Sequence, residues 1–493
     1  MRHCRSAQWI ATLFLIAGAP GAQAQEEEGV LLTGGAGTLK LKTTTDDATG
    51  EKTSRGTFTV WENRTLKSGR TIDLDIVILH ATGDGARPDP IFMLAGGPGQ
   101  DATRTIGAFG ASYLRELHDL VYISQRGTGG SMRLDCDLLA SDDNVQAYLD
   151  GLWDEATFRA CLEELSKHAD LTQYSTPIAM DDLNEARQAL GYERINLMGG
   201  SYGTRAALVY MRRYPKTVRC AVLNGVAPIA FANPLYHARE AQNAIDAIFA
   251  ECASDPACHE AFGDLPAKLL HVLQRLEAQP VEVEVELPFM DGPQTGTLTR
   301  QAFAGALRTL MYGDSRRIPR LLNAAFEGDF RGFAEAGIMS NRGIIRQLAF
   351  GMLLCVTCAE DVDRIEEAMI GPATAGTFYG PDRIYEQKAL CEFWPRSILP
   401  EGFGEDVSVN VPTLVLSGTY DPVTGPRWGA DAASHLPNSL HVVAPGSHGV
   451  ASGGGPCIRS IIAEFLERAS VRSLDVSCVE GMDLGPFEVE MDD

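Results

Sequence analysis

Ser201 stands at the centre of Gly199-Gly200-Ser201-Tyr202-Gly203, directly after the run Ile195-Asn196-Leu197-Met198 and just before Ala206-Ala207-Leu208-Val209-Tyr210-Met211. A short buried strand, a Gly-x-Ser-x-Gly turn and a helix together form the signature of a nucleophile elbow. The turn is too tight for side chains beside the serine, which is why glycines flank it. The serine is thrust out at the end of a sheet. The N-terminus of the following helix lies beneath it and favours negative charge there. Few folds accommodate this arrangement, and it sets demands on the rest of the chain.

The first demand is order. In this architecture the acid and then the histidine follow the serine along the chain. Pro412-Thr413-Leu414-Val415-Leu416-Ser417 reads as a buried strand running into Gly418-Thr419-Tyr420-Asp421-Pro422, so Asp421 falls at its C-terminal end. Leu440-His441-Val442-Val443 reads as the next strand and leads to Pro445-Gly446-Ser447-His448-Gly449. The interval between Asp421 and His448 holds one helix and one strand. The expected chemistry is that His448 takes the Ser201 proton while Asp421 fixes the imidazole tautomer. The second demand is an oxyanion hole with two backbone donors. Tyr202, after the nucleophile, supplies one. Gly97 is the candidate for the other, because Gly96-Gly97-Pro98-Gly99 follows the strand Ile91-Phe92-Met93-Leu94-Ala95.

Gly96-Gly97-Pro98-Gly99, Gln125-Arg126-Gly127-Thr128-Gly129, the elbow, Asp421 and His448 together resemble the α/β-hydrolases of the prolyl iminopeptidase and tripeptidyl aminopeptidase group. The resemblance spans roughly residues 55 to 480. It is nearest to the secreted tripeptidyl aminopeptidase-like branch, with a long cap and a distinctive C-terminal segment. Ala95 and Ser124 depart from the group, which usually has His and Asp there. The resemblance implies that Gly-Gly-Pro-Gly donates to the oxyanion and that Gln-Arg-Gly supports that loop. It also implies a disulfide between Cys358 and Cys391. An acidic pair in the cap, here Glu360 and Asp361, would receive the ammonium group of a peptide with a free N-terminus. Glu392 is a weaker substitute.

Composition points to export. Arg2, His3 and Arg5 precede an apolar run from Trp9 to Gly18, and Ala22-Gln23-Ala24 offers small residues for cleavage. Residues 1–24 therefore read as a signal peptide, too short to span a membrane. Cys4 lies in that leader. The other ten of the eleven cysteines suit disulfides in an oxidising compartment. Cys252 with Cys258, Cys136 with Cys161, and Cys457 with Cys478 are local candidates, which leaves Cys220 and Cys355 over. Cys355-Val356-Thr357-Cys358 has neither a second ligand pair at zinc spacing nor a thioredoxin context, so no metal or cofactor is expected. A net charge of −23 argues against nucleic acid and anionic membranes as partners.

The expected organisation has six parts. They are the signal peptide, a flexible lead at 25–50, a first hydrolase segment at 51–230, a mainly helical cap at 231–404, a second hydrolase segment at 405–480 and a tail at 481–493. Alternation in Thr57–Trp61 and Ile72–Ile76 predicts antiparallel strands. The strands at Ile91, Leu120, Ile195 and Ala221 predict a parallel centre, with helices between them covering both faces, one starting at an N-cap on Asp181. In the cap, Val281 to Glu286 alternates strictly ahead of an Asp291-Gly292 turn, a hairpin pattern. Leu348 to Val356 reads as a core helix. The function expected is that of a periplasmic or extracellular serine aminopeptidase. A carboxylesterase or lipase would use the same machinery, and a catalytically dead hydrolase fold would keep the scaffold alone.

Overall fold

A computed structural model describes residues 25–27, 31–34, 37–107, 111–136, 142–150, 153–313 and 315–490. The signal-peptide reading at 1–24 lies outside them. The described residues build one sheet of eleven strands. They are β1 (Gln25–Glu27), β2 (Leu31–Gly34), β3 (Gly37–Thr45), β4 (Lys52–Trp61), β5 (Thr71–Leu79), β6 (Ile91–Leu94), β7 (Leu120–Ile123), β8 (Ile195–Gly200), β9 (Val218–Asn224), and then β12 (Thr413–Gly418) and β13 (Ser439–Ala444). The intervening β10 (Val281–Val285) and β11 (Gln294–Leu298) pair only with each other, as the hairpin in the cap.

Strand order is β1-β3-β4-β5-β7-β6-β8-β9-β12-β13, with β2 also on β3. Pairing is antiparallel from β1 to β7 and parallel from β7 to β13. The chemistry of the strands follows this division. β6, β7, β8 and β12 are buried at every position and are predominantly apolar, interrupted only by Asn196, Thr413 and Ser417, as strands covered on both faces tend to be. On one face Val121, Leu197, Leu223 and Val415 meet the helices Thr176–Ala189 and Tyr202–Arg213. On the other, Met93, Tyr122, Val222 and Leu416 meet the helix Gly455–Arg468. This is the α/β-hydrolase fold.

Three expectations need correction. The part of the 25–50 lead from Gly37 to Thr45 is strand rather than flexible, because β3 pairs in register with β4 and buries Leu39 completely. The helix assigned an N-cap at Asp181 starts five residues earlier, at Thr176, with Pro177 in its first turn. Proline is preorganised for that position and lacks only an N–H that the helix leaves unused. The helix Phe350–Glu360, inside the 231–404 span, joins the core of the sheet rather than the cap's own core. Ile245, Phe249, Phe303, Leu307 and Phe333 form that separate cap core. The tail docks on it through Phe487, and Glu488 accepts from Arg320 at 2.9 Å.

Among the described residues four cysteine pairs are bonded: Cys136–Cys161, Cys252–Cys258, Cys358–Cys391 and Cys457–Cys478. Cys220 and Cys355 are free and buried. No helix among the described residues is long and apolar enough to cross a membrane.

Candidate active site

Because β6, β8, β12 and β13 run parallel, the loops that leave their C-terminal ends meet on one edge of the sheet. Ligands in open α/β sheets bind outside these ends. Those loops carry Gly97, Ser201, Asp421 and His448 in turn.

Ser201 has φ +56° and ψ −128°, a left-handed conformation that a residue with a Cβ rarely adopts. The surroundings hold it there. Its N–H donates to the Asn224 carbonyl at 3.0 Å, and its own carbonyl accepts from Thr204 N. Both flanking glycines are required sterically. A Cβ on Gly199 would lie 2.5 Å from the Gly203 oxygen, and one on Gly203 would lie 2.1 Å from the Leu94 oxygen.

Asp421 is 2% exposed. Its Oδ1 accepts from the N–H groups of Val423 (2.9 Å) and Thr424 (2.8 Å). Its Oδ2 accepts from Thr424 Oγ1 at 2.8 Å and from His448 Nδ1 at 2.8 Å. Burial opposes its charge. The adjacent His448 and these donors outweigh burial and hold the carboxyl below its ordinary range. A carboxylate only accepts, so Nδ1 carries the proton and Nε2 is left unprotonated, able to accept. Asn224 steadies the histidine loop, donating to the His448 carbonyl and accepting from Ala451 N. The Tyr312 ring from the cap stands edge-on to the imidazole at 5.1 Å. Ser201 and His448 line one cavity of ≈ 380 Å³. Among the described residues no hydrogen bond joins them. Such bonds often close only in the Michaelis complex.

Gly97 and Tyr202 border the recess around Ser201. Among the described residues neither N–H has a protein acceptor. For Tyr202 this follows from its place at the head of a helix, where the first N–H groups have no intrahelical partner. The Gly-Gly-Pro-Gly loop is braced by Gln100, whose Oε1 accepts from Gly96 N, and by Ala349, whose N–H donates to the Gly99 carbonyl. Gln-Arg-Gly does not brace it in the expected way. Arg126 is buried and turned to Asp182 and to the carbonyls of Glu62 and Gln173, so it ties β4 to the helix Thr176–Ala189.

Glu360 and Asp361 are both fully buried, and neither lines the cavities that meet Ser201. Glu360 accepts from Thr176 N (2.6 Å) and Thr176 Oγ1 (2.8 Å). Asp361 takes both of its 2.8 Å contacts from Arg205 Nη1, and Arg364 lies 3.3 Å away. Burial pushes the Glu360 carboxyl up to about 7 despite Arg205 and the Thr176 donors. These groups lock the helix behind Ser201 rather than face the cavities that meet it. Glu392 does not line those cavities either. The carboxylates that do line the adjoining cap cavity are Asp150 and Glu386. Sequence reasoning missed Asn224, although a polar residue ending a buried strand beside the elbow was a signal. It also missed His237, Arg308 and Arg383, whose roles depend on cap packing.

Comparison with known proteins agrees with the fold. A family model described as alpha/beta hydrolase fold matches residues 89–262, and one described as TAP-like protein matches 376–478. Serine protease Hip1 of Mycobacterium tuberculosis is 25% identical over 447 residues, covering 81% of this chain and 82% of that protein. Proline iminopeptidase of Xylella fastidiosa is 27% identical over 142 residues, 28% of this chain and 32% of its own length. The crystal structure of proline iminopeptidase from Mycobacterium smegmatis superposes with a TM-score of 0.42 at 17% identity, covering 82% of this chain and 98% of that one.

Proposed function

Because the chain belongs to the α/β-hydrolases of the prolyl iminopeptidase and tripeptidyl aminopeptidase group, we propose that it is an exported serine aminopeptidase that cleaves peptide bonds near a free N-terminus. The observation that carries this reading is the 2.8 Å contact of Asp421 with His448 beside a serine held on a strained elbow. A serine protease that is similar along four-fifths of the chain supports peptide over ester. Four disulfides support an oxidising compartment, periplasmic or extracellular.

On this reading the residues act in sequence. His448 Nε2 accepts the Ser201 proton as Oγ attacks the scissile carbonyl, and Asp421 stabilises the imidazolium. The tetrahedral oxyanion is held by the N–H groups of Gly97 and Tyr202, each worth 10²–10³ in rate in comparable enzymes. His448 then gives its proton to the departing amine, which leaves as the shortened peptide. A water, deprotonated by His448, hydrolyses the acyl-enzyme and frees the N-terminal product. No step calls for a cofactor. The cap covers the site and limits how much substrate enters. Asp150 and Glu386 are the cavity-lining carboxylates available to the α-ammonium.

The test is product analysis on a small peptide library with free and acetylated N-termini. Free peptides are expected to be cleaved near that end and acetylated ones left intact. Equal turnover of both, together with fast hydrolysis of simple esters, would instead make the protein an esterase.

A further inference from the structure

Two helices, Arg300–Leu310 in the cap and Asp382–Phe393 packed on the sheet side, send Arg308 and Arg383 into one cavity. That cavity shares Gly97, Tyr312, Asn233 and His237 with the recess around Ser201. Arg383 is 7% exposed. Its guanidinium lies over Trp153, 3.3 Å from the ring centroid, and its buried Nη1 has no hydrogen-bond partner. Arg308 donates from Nη1 to Tyr312 Oη at 3.2 Å and sits over the Tyr379 ring, and its buried Nε is also unpartnered. Among the described residues neither arginine has an ion pair. Glu386 and Asp150 line the same cavity, yet neither comes within salt-bridge distance of these guanidinium groups. Asp150 is exposed at the rim, and its carboxylate accepts from Gln146.

A buried guanidinium N–H without an acceptor is costly, whereas a carboxylate satisfies such groups with charge-assisted bonds. The field is legible in His237. Burial first, then Arg308, Arg383 and His448, hold its imidazole well below its ordinary range, so it stays neutral on the same wall. We propose that this cavity is an anion subsite, and that the peptide residues released by the enzyme include an acidic side chain whose carboxylate is bound by Arg383 and Arg308. The peptide part of this inference rests on the aminopeptidase reading. Recognition of the carboxylate does not.

The experiment has two arms on the full-length protein. The first measures kcat/KM on free-amine peptide anilides that carry Glu or Gln at each of the first three positions. The second measures protection of Ser201 from a fluorophosphonate by glutarate, with glutaramide as the neutral control. Native enzyme is expected to prefer Glu over Gln about tenfold or more at one position, and glutarate is expected to slow labelling where glutaramide does not. Arg383→Gln should bring the Glu/Gln ratio close to one, while Arg383→Lys should keep part of it. No preference for Glu at any position together with no protection by glutarate overturns the inference, whatever the variants do. An unchanged ratio in Arg383→Gln overturns the assignment to this cavity. Protection by glutarate with every anilide refused would keep the anion subsite and sink the aminopeptidase reading instead.

Discussion

Asp421 concentrates four donors on two oxygens, and only one of the four belongs to the histidine. The other three come from Val423 and Thr424 and lock the carboxylate before any substrate arrives. Asp421→Asn keeps the shape but presents an amide donor where Nδ1 must donate, which forces the wrong tautomer. Its kcat is expected to fall on the order of 10⁴-fold with little change in KM, read from steady-state kinetics. Fluorophosphonate labelling of Ser201 should slow in parallel. An Asn variant within tenfold of native would mean that Asp421 has no part in catalysis. At this scale the sequence was informative. Ser201, Asp421 and His448 each sat in a loop after an apolar strand, in the order the architecture demands. Their partners were less legible. Glu360 and Asp361 were readable as acidic, but that Arg205 lies against them is a fact of packing between distant segments.

The helix Phe350–Glu360 shows the same limit for elements. Its apolar run announced a buried helix, and it is buried throughout. Nothing in that run told that it packs into the core of the sheet and ends on a carboxyl facing Thr176, Arg205, Asp361 and Tyr202. The β10–β11 hairpin was readable because alternation and an Asp-Gly turn are local signals. β3 was readable too, since Leu39 and Leu41 alternate with Lys40 and Lys42, but glycines and threonines around it suggested flexibility. Glu360 makes its helix pH-dependent. Its folded-state pKa of about 7 lies above the ordinary 4.5, so the native state keeps a proton that the unfolded chain has released. The stability it contributes is complete below about pH 4.5 and falls as pH rises through 7, by about 2–4 kcal/mol. Glu360→Gln removes that slope. The native-minus-variant difference in unfolding free energy, from urea titrations between pH 4.5 and 8, should decline with pH, and a flat difference would refute the assignment.

At the scale of the molecule, the disulfides divide between the two cores. Cys358–Cys391 joins helices on the sheet side across 33 residues, while Cys252–Cys258 closes only 6 within the cap. The chain-entropy account gives about 4 kcal/mol for the longer loop and about 2 kcal/mol for the shorter. Urea unfolding of the two double Cys→Ser variants should show that ranking, and the reverse order would show that native-state packing outweighs loop closure. The cap is built around its own apolar core, yet it reaches the cavities around Ser201 through Tyr312, His237 and Arg308.

Ser201 carries one further consequence. Its backbone torsions suit glycine, and a serine is kept there only because the neighbouring strands and turns leave it no alternative. A descendant of this chain that kept the scaffold for adhesion or display would gain nothing from the hydroxyl and would be freer to relax toward glycine. The awkward torsion is thus a kind of signature of employment, separating a working catalyst from a retired one.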